Sequence, residues 1–262
     1  MSIVGLFDSG LGGLLTARLL REKRPDLTIL YYGDTAHLPY GDKSPLQIRG
    51  YVRDIVHFLK DQGAEYIAIA CNTASSVAYE TACEAAKGAP VFSAIFPALS
   101  AFERERFPEP IGVIGTHTTI ESGIYGSALR AANYTVRELA TPVLVPLIEE
   151  GWILHPATKA ALDTYLSELG TVQTLLLACT HYPLIEPVIA EYYQSRRLSV
   201  RIISTAELLA KEIAEKVPST GEGKGDWRFW VSDANPRFLQ LAQRFWGAPI
   251  LSETPSGAGA VR

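Results

Sequence analysis

Tyr66-Ile-Ala-Ile-Ala-Cys71-Asn-Thr-Ala74 and Thr174-Leu-Leu-Leu-Ala-Cys179-Thr-His-Tyr182 decide how this chain is read. Each is a short apolar run that ends in Ala and passes through Cys into small polar residues. Such a run, bounded by polar residues, is the pattern of a strand buried on both faces. An offset of 108 residues carries Cys71 to Cys179, and the same offset carries Ile3 to Ile111 and Leu27 to Thr135. The chain therefore reads as a duplication, with the two cysteines at equivalent strand ends.

Working outward, strands at Ile3–Phe7, Leu27–Tyr32, Tyr66–Ala70 and Val91–Ile95 alternate with helices at 14–22, Ile48–Gln62 and Ser75–Lys87. Val52, Ile55, Val56 and Leu59 recur at helical spacing. The second half repeats the scheme. Strands are expected at Ile111–Ile114, Thr135–Leu139, Leu175–Ala178 and Val200–Ile203, with helices at Ser122–Ala132, Pro156–Ser167, Ile185–Tyr193 and Glu207–Lys216. Ser219–Asp226, Gly-rich and charged, reads as a solvated, mobile linker. A strand at Phe229–Val231 and a helix at 236–245 follow it. This is an α/β fold of two pseudo-symmetric lobes, each a mostly parallel sheet flanked by helices, with the active site in the cleft between them. Residues 1–95 with 206–262 form the first lobe, and 96–205 the second. Trp227, Trp230, Phe245 and Trp246 are assigned to the core rather than to an interface.

Composition removes other classes. The 262 residues are 47% hydrophobic and 20% charged, a globular balance. Lys and Arg number 24 against 28 Asp and Glu, a formal charge of −4 that gives no footprint for nucleic acid. No apolar run is long enough to span a membrane. The N-terminus reaches Asp8 with no basic region before it, so the expected location is the cytoplasm. Three widely spaced cysteines are expected to be free thiols. His37, His57, His117, His155 and His181 show no paired metal-ligand spacing, so no metal is expected.

Ligands of open α/β sheets bind beyond the carboxyl ends of the strands. There the sequence places Asp8-Ser9, Asp34, Cys71-Asn72-Thr73, Thr116 with Thr118-Thr119, and Cys179-Thr180-His181. The glycine turn Gly10–Gly13 fails the dinucleotide pattern because position 15 is Leu. It reads either as an anion-binding helix start or as a plain turn capped by Asp8 or Ser9. Gly223-Lys224-Gly225 lacks the hydroxyl residue of a phosphate loop, and no GxSxG is present. Two thiols in matching positions suit another task. One on each face of a carbon acid removes a proton and returns another from the opposite side. Asp8 and His181 are placed to set the thiols' protonation. Cys83, inside a helix without polar company, reads as packing.

The motifs Phe7-Asp-Ser-Gly-Leu-Gly-Gly13, Gly33-Asp-Thr-Ala36 with Pro39-Tyr-Gly41, Ala70-Cys-Asn-Thr-Ala74, Val145-Pro-Leu-Ile-Glu-Glu-Gly151 and Cys179-Thr-His-Tyr-Pro-Leu184 together resemble the glutamate racemase family. The resemblance runs over nearly the whole chain. It implies interconversion of L- and D-glutamate without cofactor, supplying D-glutamate for peptidoglycan. Cys71 and Cys179 match its two bases, the first working on D-glutamate and the second on L-glutamate. Asp8, Ser9, Tyr40, Gly41, Asn72, Thr73, Thr180 and His181 match its substrate-binding positions. Thr116 and Thr119 match its threonine loop, and Glu149 its acidic segment. His37-Leu38 and Phe96-Pro97-Ala98 depart from the family pattern. No matched loop supplies an Arg, so hydroxyls, amides and backbone N–H groups must bind the two substrate carboxylates. A racemase for aspartate or a related acid, and an amino-acid-binding protein without turnover, are the alternative readings. A homodimer is left open.

Overall fold

The computed structural model describes residues 2–219, 223–233, 242, 243 and 246. Among these, nine parallel strands form two sheets. The first sheet contains β1 (Ile3–Asp8), β2 (Thr28–Gly33), β3 (Tyr66–Ile69), β4 (Val91–Ser93) and β9 (Trp227–Val231). The second contains β5 (Ile111–Gly115), β6 (Val136–Ala140), β7 (Thr174–Ala178) and β8 (Arg201–Ser204). The first sheet runs β4-β3-β1-β2-β9, and the second, read from its β8 edge, runs β8-β7-β5-β6. The two orders are the same, with β9 added at the β2 edge of the first sheet. In each sheet the central pair, β1 with β3 and β5 with β7, is where chain progression reverses. That is the switch point at which ligands collect.

The helices cover both faces. α1 (Gly13–Lys23) and α10 (Thr205–Lys216) lie on one face of the first sheet, and α2 (Pro45–Asp61) and α3 (Asn72–Ala85) on the other. α2 shows why these segments are helical. Ser44 and Gln47 form a capping box, Pro45 takes the first position, and Ile48, Val52, Ile55, Val56 and Leu59 form the buried stripe. Around the second sheet, α4 (Ile95–Arg104) and α6 (Ile124–Ala131) pack on one face, and α8 (Pro156–Leu169) and α9 (Glu186–Ser195) on the other.

Several expectations are corrected. The strand expected at Val91–Ile95 stops at Ser93, and Ile95 opens α4, a helix the sequence reading lacked. Pro97 sits in its first turn, where the missing N–H costs nothing. The helix expected over Ser122–Ala132 is α6 (Ile124–Ala131). Ahead of it lies a helix the sequence reading lacked, α5 (His117–Glu121), separated from α6 by Gly123 with its φ of 67°. α7 (Leu144–Glu149) is also additional. In the expected linker, Gly225 donates to Pro25 O (2.8 Å) and Asp226 N to Thr28 Oγ1 (3.2 Å), so its described end is pinned beside β2. Trp230 and Trp246 are buried, as assigned to the core. The expected helix at 236–245, with Phe245, lies outside the described residues apart from 242 and 243, which are helical.

The strand register revises the duplication. Phe7 pairs with Tyr32 and Gly115 with Ala140, so the 108-residue offset holds across β1, β2, β5 and β6. Phe7 also pairs with Ile69, whereas Gly115 pairs with Ala178 rather than Leu177. β7 is thus slipped by one residue, and Ala70, not Cys71, occupies the register of Cys179. A one-residue slip reverses every side chain. Cys71 accordingly continues the Ile67–Ile69 face under α2 and α3, and Cys179 the Leu175–Leu177 face under α8 and α9.

Candidate active site

Both thiols open into one cleft of about 550 Å³, counted to its mouth. Ser9, Tyr40, Gly41, Asn72, Thr73, Thr116, Thr180 and His181 also line it. The strand ends of the two sheets therefore meet there, as the sequence requires. All three cysteines are free, and Cys83 lies half-buried in α3 away from the cleft lining.

Cys71 is the N-cap of α3, and its Sγ accepts the Ala74 N–H at 3.4 Å. The thiol donates to Ser9 Oγ at 3.7 Å. Burial, reinforced by the charge of Asp8, pushes this thiol up to about 12. That environment favours the protonated thiol over the thiolate.

Cys179 follows β7 directly, and its Sγ lies 3.8 Å from His181 Nδ1. The other ring nitrogen, Nε2, donates to Glu149 Oε1 at 3.0 Å. Burial disfavours charge on His181, but its hydrogen bonds to Cys179 and Glu149 outweigh that and hold it well above the usual imidazole value. α7, which the sequence reading lacked, is what carries Glu149 to this position.

Asp8 is fully buried at the end of β1. It accepts from Gly10 N (3.2 Å) and Thr180 Oγ1 (3.3 Å), and the Gly13 N–H also favours its charge. Burial nevertheless raises it above the ordinary carboxylate value, the nearby His181 charge and these donors only partly opposing the rise. Neither Asp8 nor Ser9 caps α1; its N-cap is Gly12, with no side-chain bond. Asp8 thus takes N–H groups that the sequence left available for an anion.

Thr116 caps α5, and the hydroxyls of Thr73, Thr116 and Thr119 form a triangle with edges of 2.9, 3.2 and 3.0 Å. Thr119 is buried and reaches the site through this triangle. Thr118 Oγ1 donates to Gly41 O at 2.9 Å, tying the second sheet's loop to the first's. The Asn72 side chain is largely committed elsewhere. Its Oδ1 accepts from Tyr125 OH (2.6 Å) and its Nδ2 donates to Thr205 Oγ1 (3.1 Å), so it fastens the lobes together. Tyr40 donates to the buried Asp34 at 2.6 Å.

Sequence reasoning missed the apolar side of the cleft, formed by Leu38, Pro142, Val145 and Pro146. The signal was the run Thr141-Pro-Val-Leu-Val-Pro146, apolar residues in a loop just beyond a strand's carboxyl end. Among the described residues, no Lys or Arg lines the cleft. Among the described residues, no group of three or more His, Cys, Asp or Glu side chains is arranged to hold a metal. No helix there is long and apolar enough to cross a membrane.

The family model for Asp/Glu/Hydantoin racemase matches residues 15–213, a span that includes both thiols. The glutamate racemase of Koribacter versatilis (strain Ellin345) is 37% identical over 279 residues, covering 95% of this chain and 94% of its own. That of Neisseria gonorrhoeae (strain ATCC 700825 / FA 1090) is 38% identical over 249 residues, covering 93% and 92%. The crystal structure of glutamate racemase from Francisella tularensis subsp. tularensis SCHU S4 in complex with D-glutamate matches at a TM-score of 0.87 with 30% identity, over 98% of each chain. The similarity thus extends through both sheets and both thiol loops, and the chain belongs to the glutamate racemases of the Asp/Glu/hydantoin racemase family.

Proposed function

We propose that this protein interconverts L- and D-glutamate by proton transfer between the substrate Cα and two thiols, Cys71 and Cys179. The observation that carries the reading is that both thiols line one cleft, each from its own sheet and each with its own polar partners. Cys179 takes the proton of L-glutamate while Cys71 delivers one to the opposite face, and the roles exchange for D-glutamate. His181, backed by Glu149, exchanges a proton with Cys179. Asp8 and Ser9 attend Cys71.

Binding falls to neutral donors and one imidazolium. The threonine triangle, the first turn of α3 and Thr180 offer hydroxyl and N–H groups to the substrate carboxylates, and Leu38, Val145 and Pro146 face its methylenes. Neutral donors hold the ground state less tightly than an Arg clamp, which leaves binding energy for the transition state. The product is D-glutamate for peptidoglycan, made in the cytoplasm. The working unit is two lobes, 1–95 with 206–262 and 96–205, whose facing ends form the cleft.

The test is an assay of L-glutamate, D-glutamate and both aspartates, without pyridoxal phosphate or added metal. Glutamate should lose optical activity in both directions and aspartate should turn over far more slowly. Equal turnover of aspartate would overturn the substrate assignment.

A further inference from the structure

Asp34 has no solvent exposure, and its carboxylate is held by donors from three segments. Tyr40 OH donates at 2.6 Å, Ser232 Oγ at 2.8 Å, and His37 Nδ1 lies 2.8 and 2.9 Å from its two oxygens. An ionised carboxylate only accepts, so His37 carries its proton on Nδ1. The His37 ring stacks on Tyr51 with centroids 4.0 Å apart, which fixes its plane. Ser232, just past β9, also accepts the Ala36 N–H at 2.9 Å. Next to it, Thr35 Oγ1 donates to Asp233 O (2.7 Å) and accepts from Asp233 N (2.9 Å). The turn after β9 thus grips residues 34–37, and Asp34 transmits that grip to Tyr40. Tyr40 and Gly41 line the cleft, whereas His37 and Ser232 do not.

We propose that His37 and Ser232 are positioning residues, which hold Tyr40 and the adjoining Gly41 against the substrate through the buried Asp34 carboxylate. The proposal rests on the glutamate reading above. A buried carboxylate that loses one donor is left under-satisfied, and the remaining groups rearrange to compensate. Tyr40 is the partner that faces the cleft, so the loss falls on substrate binding. The thiols and their partners are untouched.

The experiment measures kcat and KM for L-glutamate in wild type, His37→Leu, His37→Asn and Ser232→Ala. In His37→Leu, KM should rise about tenfold with kcat held within about twofold, the mark of lost uniform binding. His37→Asn, whose amide N–H replaces the Nδ1 donor, should return KM close to wild type. Ser232→Ala should raise KM in the same direction and carries the test if His37→Leu does not fold. An unmoved KM in both, a loss confined to kcat, or an Asn variant no better than Leu overturns the positioning role. Absence of wild-type turnover sinks the glutamate reading and this substrate role with it. Wild-type turnover with an unmoved variant KM sinks the positioning role alone.

Discussion

Gly12 passes so close to Thr180 that a methyl group on it would overlap the threonine hydroxyl and stand 2.9 Å from His181 Nδ1. This contact joins the glycine turn of the first sheet to the second thiol loop, whose Thr180 and His181 line the cleft. Gly12→Ala should push the loops apart. A displacement near 1 Å in a site of this kind costs on the order of a hundredfold in rate. The expected outcome is a fall in kcat/KM of about that size, with a stability loss of about 1–3 kcal/mol from overpacking. Steady-state kinetics and thermal melting check it, and near-normal kinetics would mean that the loops give way freely.

The thiols should be separable by substitution. Cys71→Ala and Cys179→Ala should each reduce racemisation by at least about a thousandfold, within the range expected when a positioned acid or base is lost. Serine at either site should be nearly as slow, since a hydroxyl is a far weaker acid. Cys83→Ala should retain activity. Because burial and the Asp8 charge hold Cys71 near 12, its alkylation in the free enzyme should keep accelerating through pH 10. A labelling rate that levels off near pH 8, read by mass spectrometry of the Cys71 peptide, contradicts that environment.

Much of this site was legible because its residues sit at strand ends, where sequence period and topology point directly. Asp8, Cys71, Thr116 and Cys179 all follow apolar runs that could only be buried strands. Two of the elements that escaped are short helices rich in apolar residues. Ile95–Arg104 and Leu144–Glu149 carry Pro97 and Pro146, and an apolar run interrupted by proline looks no more helical than extended. The register slip between β3 and β7 escaped for another reason. A sequence offset equates residues along the chain, whereas the face a side chain takes depends on which neighbour its strand pairs with. Asn72 shows the limit for single residues. Its position in the cleft could be read, but not the demand of Tyr125 and Thr205 on its amide.

Glu149 should govern both pH dependence and stability through His181. A histidine whose folded value is raised stabilises the fold fully below its unfolded value of about 6.5, and that contribution is lost as pH rises through the folded value. The melting temperature should therefore decline on the alkaline side of neutrality. Glu149→Gln removes the carboxylate 3.0 Å from Nε2, which lowers His181 and moves that decline to lower pH. Racemisation should lose its alkaline activity over the same interval. Melting curves and rate profiles from pH 5 to 9 measure both, and coincident profiles for wild type and variant would remove Glu149 from this role.

The two-base assignment makes a prediction that no substitution can mimic. If Cys179 removes the proton of L-glutamate, the proton that arrives at the other face comes from Cys71, which has exchanged with solvent before turnover. In deuterated water the first D-glutamate formed should carry deuterium at Cα, while unreacted L-glutamate keeps its hydrogen. Starting from D-glutamate, the label should appear first in L-glutamate. A single base serving both faces would return some of the original proton to product. The slipped register strengthens the expectation, because it sets the two thiols on opposite faces of otherwise corresponding strands, each with separate polar partners. The measurement is the Cα isotope content of both enantiomers at low conversion, in each direction. Product that retains the substrate's own hydrogen sinks the two-base assignment, whatever the cysteine variants show.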